Sequence, residues 1–212
     1  MKKQILAAII IAIALPALAQ ETKEIKLLAP DKTRGLPLMQ ALDARASARA
    51  LDAKPLSDQD LADLLWAAYG VNRPDGRHTA PTAKNAQDID LYVCLPHATY
   101  LYDPANHLLK PVIATDLRPA LSAGQEFVKT APVVLLIISD YSRFRLDDTD
   151  KARFWAGMDG GIVSQNINIF CAATGLSTVP RAYMDQTIIK QLLNLTDTQI
   201  PVLNNPVGYP RR

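Results

Sequence analysis

The chain has 212 residues, a length that suits one domain, since a single hydrophobic core serves about 100–200 residues. Hydrophobic residues make up 49% and charged residues 21%, which excludes a disordered chain and a multi-span membrane protein. The formal net charge is only +2, so the chain offers no general field for a nucleic acid. Two cysteines cannot build a disulfide framework, so an ordinary core must hold the fold.

Residues 1–19 have the pattern of a secretory signal peptide. Lys2 and Lys3 form a basic start, Ile5–Leu15 is an unbroken apolar run, and residues 17–19 form a small-x-small cleavage site. The run is shorter than the roughly 20 residues that span a bilayer. We therefore predict cleavage before Gln20, export to the periplasm or the exterior, and no stable membrane insertion afterwards. An uncleaved anchor is the alternative.

The mature chain divides into a polar leader over 20–36 and one globular domain over 37–212. The leader is followed by a short helix that begins at Leu38. Ser57 caps an amphipathic helix over Asp58–Tyr69, and Gly70 ends this helix. Residues 72–88 form a loop rich in Pro, Gly, Asn and Thr.

The second half of the chain mixes strands and helices without a regular alternation. Predicted strands cover 89–95, 99–103, 108–112, 132–139 and 200–207, and predicted helices cover 117–129, 149–174 and 185–194. This arrangement favours an α+β fold over a doubly wound parallel sheet.

Three glycines, Gly157, Gly160 and Gly161, lie inside the longest predicted helix. Each costs about 1 kcal/mol relative to alanine in a helix interior, which indicates close approach of another backbone. That backbone belongs either to a partner helix across a dimer axis or to the same subunit.

The sequence has no motif for a metal site or for a nucleophilic catalyst. Its three histidines are isolated, and no G-x-S-x-G, Walker or G-x-G-x-x-G pattern is present. Cys94 and Cys171 lie in apolar segments, where they either pair in an oxidising compartment or remain buried thiols. We assign no metal and no catalytic residue, so a bound cofactor is expected to supply the chemistry.

The segment Arg45-Ala46-Ser47-Ala48-Arg49 is a candidate anion site. In an extended chain, residues 45, 47 and 49 share one face, and in a helix the two arginines meet at i, i+4. Two guanidiniums that meet repel each other unless an anion lies between them, and their geometry matches phosphate oxygens. The alternative is a solvated helix end with ion pairs to Asp43 and Asp52.

The chain resembles the FMN-dependent nitroreductase family over about residues 37–210. Six motifs occur in the family's order: Arg45-x-Ser47-x-Arg49 with the helix over 56–70, the loop Thr79–Gln87, Ala131-Pro132, Gln165-Asn166, Gly175-Leu176-Ser177 and Val207-Gly208-Tyr209-Pro210. The stretch Leu101-Tyr102-Asp103…His107 further resembles the branch of azoline-oxidising (thiazole- or oxazole-forming) peptide dehydrogenases.

This resemblance implies a nitroreductase-like fold, with a central, mostly antiparallel sheet flanked by helices and an intertwined homodimer that holds FMN at its interface. It also implies an oxidoreductase that transfers hydride or electrons through flavin N5 between a donor and a small organic or peptide substrate. The electron donor or acceptor stays open, because NAD(P)H is not expected where an exported protein works. The alternative is a non-catalytic flavin-binding protein that keeps the fold.

The resemblance also assigns cofactor-binding residues. It implies that the FMN phosphate and ribityl chain are bound by Arg45, Ala46, Ser47 and Arg49. It implies that the flavin of the partner subunit is contacted by Pro81, Thr82, Ala83 and Asn85. Gln125 matches a position at the pyrimidine edge of the ring. Arg181 and Ala182 match a pair whose backbone approaches N5 and O4, although the family usually has glycine where Ala182 stands. Arg211 or Arg212 replaces a phosphate-binding residue that the family places further along.

Overall fold

The computed structural model describes residues 22–211. The predicted signal peptide and Arg212 lie outside the described residues. Within the described part of the chain, no helix is both long enough and apolar enough to cross a membrane.

Among residues 22–211, seven strands form one antiparallel sheet, in the order β1-β4-β3-β2-β5-β7-β6. Numbered along the chain, they are β1 Ile25–Lys26, β2 Ile89–Cys94, β3 Thr99–Asp103, β4 Leu108–Ile113, β5 Val133–Asp140, β6 Ser177–Thr178 and β7 Gln199–Gly208. The predicted α+β fold with an antiparallel sheet is confirmed.

Helices cover both faces of this sheet. They are α1 Leu38–Ala44, α2 Asp58–Tyr69, α3 Arg118–Ser122, α4 Glu126–Thr130, α5 Thr149–Thr174 and α6 Gln186–Leu192. Alternate residues of β5 point to opposite faces. Leu135 and Ile137 pack with α2 and α5, whereas Leu136 and Ile138 pack with α3, α4 and α6. Burial on both faces explains why β5 is a continuous apolar run.

The two longest helices begin and end where the sequence predicts. Ser57 Oγ accepts a hydrogen bond from the Asp60 amide at 3.0 Å and so caps α2. Asp148 caps α5 in the same way, through the Lys151 amide at 3.0 Å. Gly175 adopts the left-handed φ of 76° that commonly ends a helix.

The helix predicted over 117–129 is wrong as a single element. The chain breaks it into α3 and α4, because Ala123 and Gly124 have left-handed φ values of 45° and 89°. Such a value is inexpensive for glycine but unfavourable for alanine, which is why periodicity alone did not reveal the turn. Gln125 consequently stands at the start of α4 and not inside a long helix.

The α5 glycines have different surroundings. A Cβ added to Gly160 would lie 2.8 Å from Val202 Cγ1, so this glycine admits β7 of the same subunit. No described atom lies within 4 Å of a Cβ built on Gly157 or Gly161. Close packing within the subunit therefore accounts for Gly160 alone.

Within the described residues, both cysteines are buried free thiols. Cys94 packs on the α3–α4 face of the sheet and Cys171 on the α2–α5 face. Burial raises the pKa of both thiols, that of Cys94 to about 12. The structure supports the interpretation of both cysteines as small buried hydrophobic residues.

Candidate functional site

The Arg45–Arg49 segment is extended and lies alongside β6. Ser47 forms a parallel bridge with Thr178, and the Ala48 amide donates to the Thr178 carbonyl at 2.9 Å. Arg45, Ser47 and Arg49 are all exposed and, by the period of an extended chain, share one face. Among residues 22–211, no salt bridge joins either arginine to an acid. The expected alternative, ion pairs to Asp43 and Asp52, is therefore absent.

The C-terminal segment runs antiparallel to the end of this stretch. Leu51 bridges Pro210, and the Arg211 amide donates to the Ala50 carbonyl at 3.0 Å. These contacts bring Arg211 beside the residue that follows Arg49. The three predicted phosphate-binding arginines, Arg45, Arg49 and Arg211, therefore lie along the edge of the sheet that ends at β6.

Arg181 contacts Gln125 and lies near Arg49. Arg181 is only 7% exposed, and its Nε donates to Gln125 Oε1 at 3.0 Å. Its other hydrogen bonds go to Asn204 Oδ1 at 2.7 Å and to the carbonyls of Leu121 and Ser122 at 2.9 and 3.0 Å. All four of these hydrogen-bond acceptors of Arg181 are neutral oxygens.

The buried guanidinium makes this edge electropositive. Burial lowers the pKa of Arg181, and the nearby Arg49 lowers it further. A buried cation without a carboxylate partner is expensive, and an anion bound close by would offset that cost. The arrangement therefore suits a phosphate group or another anion.

Sequence analysis assigned a cofactor role to the Arg181 backbone but missed the function of its side chain, which holds Gln125. It also missed Asn204 and Asn205. Asn205 Oδ1 accepts a hydrogen bond from Ser164 Oγ at 2.8 Å, and Asn205 Nδ2 donates to Thr178 Oγ1 at 3.3 Å. Asn205 therefore links α5 to the residue of β6 that pairs with Ser47. Two consecutive amides inside an otherwise apolar strand were the available signal.

The second group of predicted residues lies on the loop over 79–88. Pro81 and Asn85 are exposed, while Thr82 Oγ1 accepts from the Gln87 amide at 2.9 Å. The Ala83 amide donates to Asp159 Oδ2 on α5 at 2.8 Å. This hydrogen bond fixes the loop to the first half of α5.

Asp159 faces a second buried carboxyl group, that of Asp88. Asp88 is fully buried and accepts from Ser139 Oγ at 2.5 Å, while its Oδ1 has no partner within the described structure. Burial, with Asp159 close by, raises the pKa of Asp88 to about 7. The two carboxyl groups lie close together beneath the loop, and burial raises the pKa of both. Sequence analysis missed this pair because the residues are 71 positions apart.

The structure does not bring the two groups of predicted residues together in one chain. The loop is fixed at Asp159, whereas Ser47 pairs with Thr178, just beyond the last residue of α5, Thr174. Fifteen helical residues separate Asp159 from Thr174, which corresponds to about 22 Å along the helix axis. Residues 81–85 therefore lie beside the middle of α5, whereas residues 45–49 lie beyond its C-terminal end.

Comparison with known proteins gives three informative similarities. A protein named as a nitroreductase in Methanocaldococcus jannaschii is 29% identical over 197 residues, covering 89% of this chain and 97% of its own. A nitroreductase-type structure from Ralstonia eutropha is 34% identical, with a TM-score of 0.83 and 92% of each chain covered. The NADPH:FMN oxidoreductase of Vibrio harveyi shares the fold, with 18% identity, a TM-score of 0.61, and 82% of this chain and 69% of its own covered.

The antiparallel sheet, the helices on both faces and these similarities define an oxidoreductase. The nitroreductase family model matches residues 42–209, so the chain belongs to the nitroreductase family.

Proposed function

We propose that this protein is an exported, FMN-dependent oxidoreductase that acts on a small organic or peptide substrate. The observation that carries the proposal is the row of exposed arginines, Arg45, Arg49 and Arg211, above the buried Arg181. Bound FMN would supply a ring that accepts and donates hydride at N5.

The residues of this edge suit the parts of FMN. The guanidiniums of Arg45 and Arg49 offer paired donors for a phosphate, and the Ser47 hydroxyl offers a donor for the ribityl chain. Arg181 occupies Gln125 Oε1 and so leaves the amide nitrogen of Gln125 for a ligand. Ala182 is exposed, and its backbone N–H could donate to a negatively charged reduced ring.

We further propose a homodimer in which each site takes its arginines from one chain and its loop from the other. The separation of these two groups along α5 supports this arrangement. An exposed apolar stripe on α5 supports it as well, since Phe154, Met158 and Ile162 recur every four residues and so share one face. Gly157 and Gly161 lie open on the same helix and would let a partner helix approach.

The azoline-oxidising branch is a narrower proposal that rests on sequence similarity. The hydroxyl of Tyr102 and Nδ1 of His107 are 2.8 Å apart, and this hydrogen bond closes the turn between β3 and β4. In this chain the contact between these two residues has a structural role.

Export is proposed from the signal pattern of residues 1–19. It requires that the exported protein begin at Gln20. Intact-mass measurement on protein recovered outside the cytoplasm tests this, and retention of residues 1–19 there would contradict it.

A flavin-binding protein without turnover is the second candidate. Ala182 favours it, because a methyl group stands where the family usually has glycine beside the flavin. Both candidates predict a yellow protein with the absorbance bands of bound FMN, and a colourless purified protein that does not take up added FMN would contradict both.

Anaerobic reduction of the flavin by dithionite, followed by mixing with a nitroaromatic or quinone oxidant, separates the two candidates. An oxidoreductase should re-oxidise rapidly and repeatedly. A binding protein should re-oxidise no faster than free FMN under the same conditions.

A further inference from the structure

A cavity of about 330 Å³ lies against the loop that carries Pro81, Thr82 and Asn85. Its opposite wall contains Arg73, Arg77 and His78. These three residues belong to a hairpin that follows α2 and take no part in the FMN contacts assigned above.

Hydrogen bonds within this hairpin and to α2 hold the backbone that carries the arginines. Val71 bridges His78, and the Gly76 amide donates to the Arg73 carbonyl at 3.1 Å. Gly76 has a left-handed φ of 78°, which such a tight turn requires. Trp66 Nε1 on α2 donates to the Val71 carbonyl at 3.1 Å and anchors the hairpin to the core.

The cavity carries unbalanced positive charge. Arg73 donates to Asn72 Oδ1 at 3.0 Å and to the His78 carbonyl at 2.8 Å, both neutral acceptors. Arg77 lies 3.4 Å from Asp75, but both side chains are more than half exposed, so this pair is weak. The residues described as lining the cavity include no acid.

His78 adds a polar group without adding charge. Its Nδ1 is buried and has no partner within residues 22–211. Burial and the neighbouring Arg73 lower its pKa, so the ring is neutral at neutral pH. The positive charge of the cavity therefore comes from Arg73 and Arg77.

We propose that this cavity binds the carboxylate of a small anionic substrate. Two guanidiniums match carboxylate oxygens, and the volume suits a single-ring acid. The position of that substrate beside the partner's flavin rests on the proposed function, because Pro81, Thr82 and Asn85 are assigned to the flavin there. The binding of the anion itself does not depend on it.

The test uses benzoate and benzamide, which have nearly the same size and differ in charge. Calorimetric titration of the FMN-saturated protein should show benzoate binding at least tenfold more tightly than benzamide. Arg73→Gln and Arg77→Gln should each weaken benzoate binding about tenfold and leave benzamide unchanged. Lys190→Gln removes the same charge from α6, outside the cavity lining, and should leave both affinities unchanged.

Equal affinity for the two ligands, or benzoate binding that survives in the Arg73→Gln/Arg77→Gln double variant, would overturn the proposal. The titration is also run on protein without added flavin, so it gives an answer even if FMN does not bind. Failure to bind FMN contradicts the proposed function, whereas loss of the charge preference contradicts only the anionic substrate.

A kinetic measurement extends the test to the chemistry. Dithionite-reduced, FMN-loaded protein should be re-oxidised faster by 4-nitrobenzoate than by 4-nitrobenzamide, and the double variant should lose this preference. Equal rates for the two oxidants in the unmutated protein would contradict placement of the substrate beside the flavin.

Discussion

At the scale of single residues, Arg181 shows how one buried side chain organises its neighbours. It holds Gln125 and Asn204 while contributing positive charge beneath the exposed arginines. We expect the exposed and buried arginines to have separate roles, which substitution can distinguish. Loss of an exposed arginine should weaken the binding of a ligand. Loss of Arg181 would also leave buried oxygens without hydrogen-bond donors.

Arg45→Ala and Arg49→Ala should each weaken FMN binding by roughly 10- to 100-fold, since a hydrogen bond to a charged group contributes about 1.5–3 kcal/mol. The fold should persist, because both side chains are exposed. Fluorescence titration with FMN and with riboflavin checks this.

Riboflavin lacks the phosphate, so it should bind weakly and respond little to either substitution. Lys26→Ala removes an exposed positive charge from β1, at the opposite edge of the sheet from β6, and serves as the control. An unchanged FMN affinity in both variants would show that the segment is only a solvated charged face.

Asp88→Asn should make stability less dependent on pH. The pKa of Asp88 is raised from 3.8 to about 7 in the folded chain, so its protonated form stabilises the protein fully below pH 3.8. That stabilisation falls as pH rises towards 7, by on the order of 2–4 kcal/mol. Asparagine stays neutral throughout, so urea unfolding at pH 5 and pH 8 should differ less than in the unmutated protein.

The control for Asp88 is Asp147→Asn, which removes an exposed carboxylate. This variant should retain the original difference in urea midpoint between pH 5 and pH 8. If Asp88→Asn retains it too, the buried pair does not titrate in this range.

At the scale of elements, local signals predicted some boundaries and long-range contacts set the rest. α2 and α5 were predicted to the residue because each has a capping side chain and an apolar period. The break between α3 and α4 was not predicted because it requires Ala123 to adopt a left-handed backbone conformation, which is unfavourable for alanine. The pairings of Asp88 with Asp159 and of Arg181 with Asn204 join distant parts of the chain, so neither could be read from spacing.

The glycines of α5 give a prediction at this scale. Gly160→Ala should lower the free energy of unfolding by about 1–3 kcal/mol, because its new methyl group would overlap Val202. In a background made monomeric by Met158→Lys, where no partner helix packs on α5, Gly157→Ala adds the same methyl group in open space and should raise stability by about 0.5–1 kcal/mol, while Gly160→Ala should still lower it. Chemical denaturation compares the two, and equal effects would contradict the assigned packing.

At the scale of the whole molecule, the apolar stripe on α5 is proposed to bury itself against a second copy. Met158→Lys places a charge in the middle of that stripe, where Met158 is 51% exposed in the single chain. Light scattering with simultaneous absorbance should show a monomer that has lost FMN, because assembly and cofactor binding are linked.

Leu192→Lys places the same charge on α6, where Leu192 is 41% exposed, and should leave a flavin-bearing dimer. A Met158→Lys monomer that retains one FMN per chain would refute the shared site.

The separation of the two residue groups along α5 has a genetic consequence. Consider one chain with Arg45→Ala and Arg49→Ala, and another with Ala83→Pro, which removes the amide that bonds Asp159. Neither chain alone assembles an intact site. When they are co-expressed, a mixed dimer combines the sound loop of the first chain with the sound arginines of the second. Random pairing should then restore about one quarter of the normal flavin per chain, whereas a site contained in one chain would restore none.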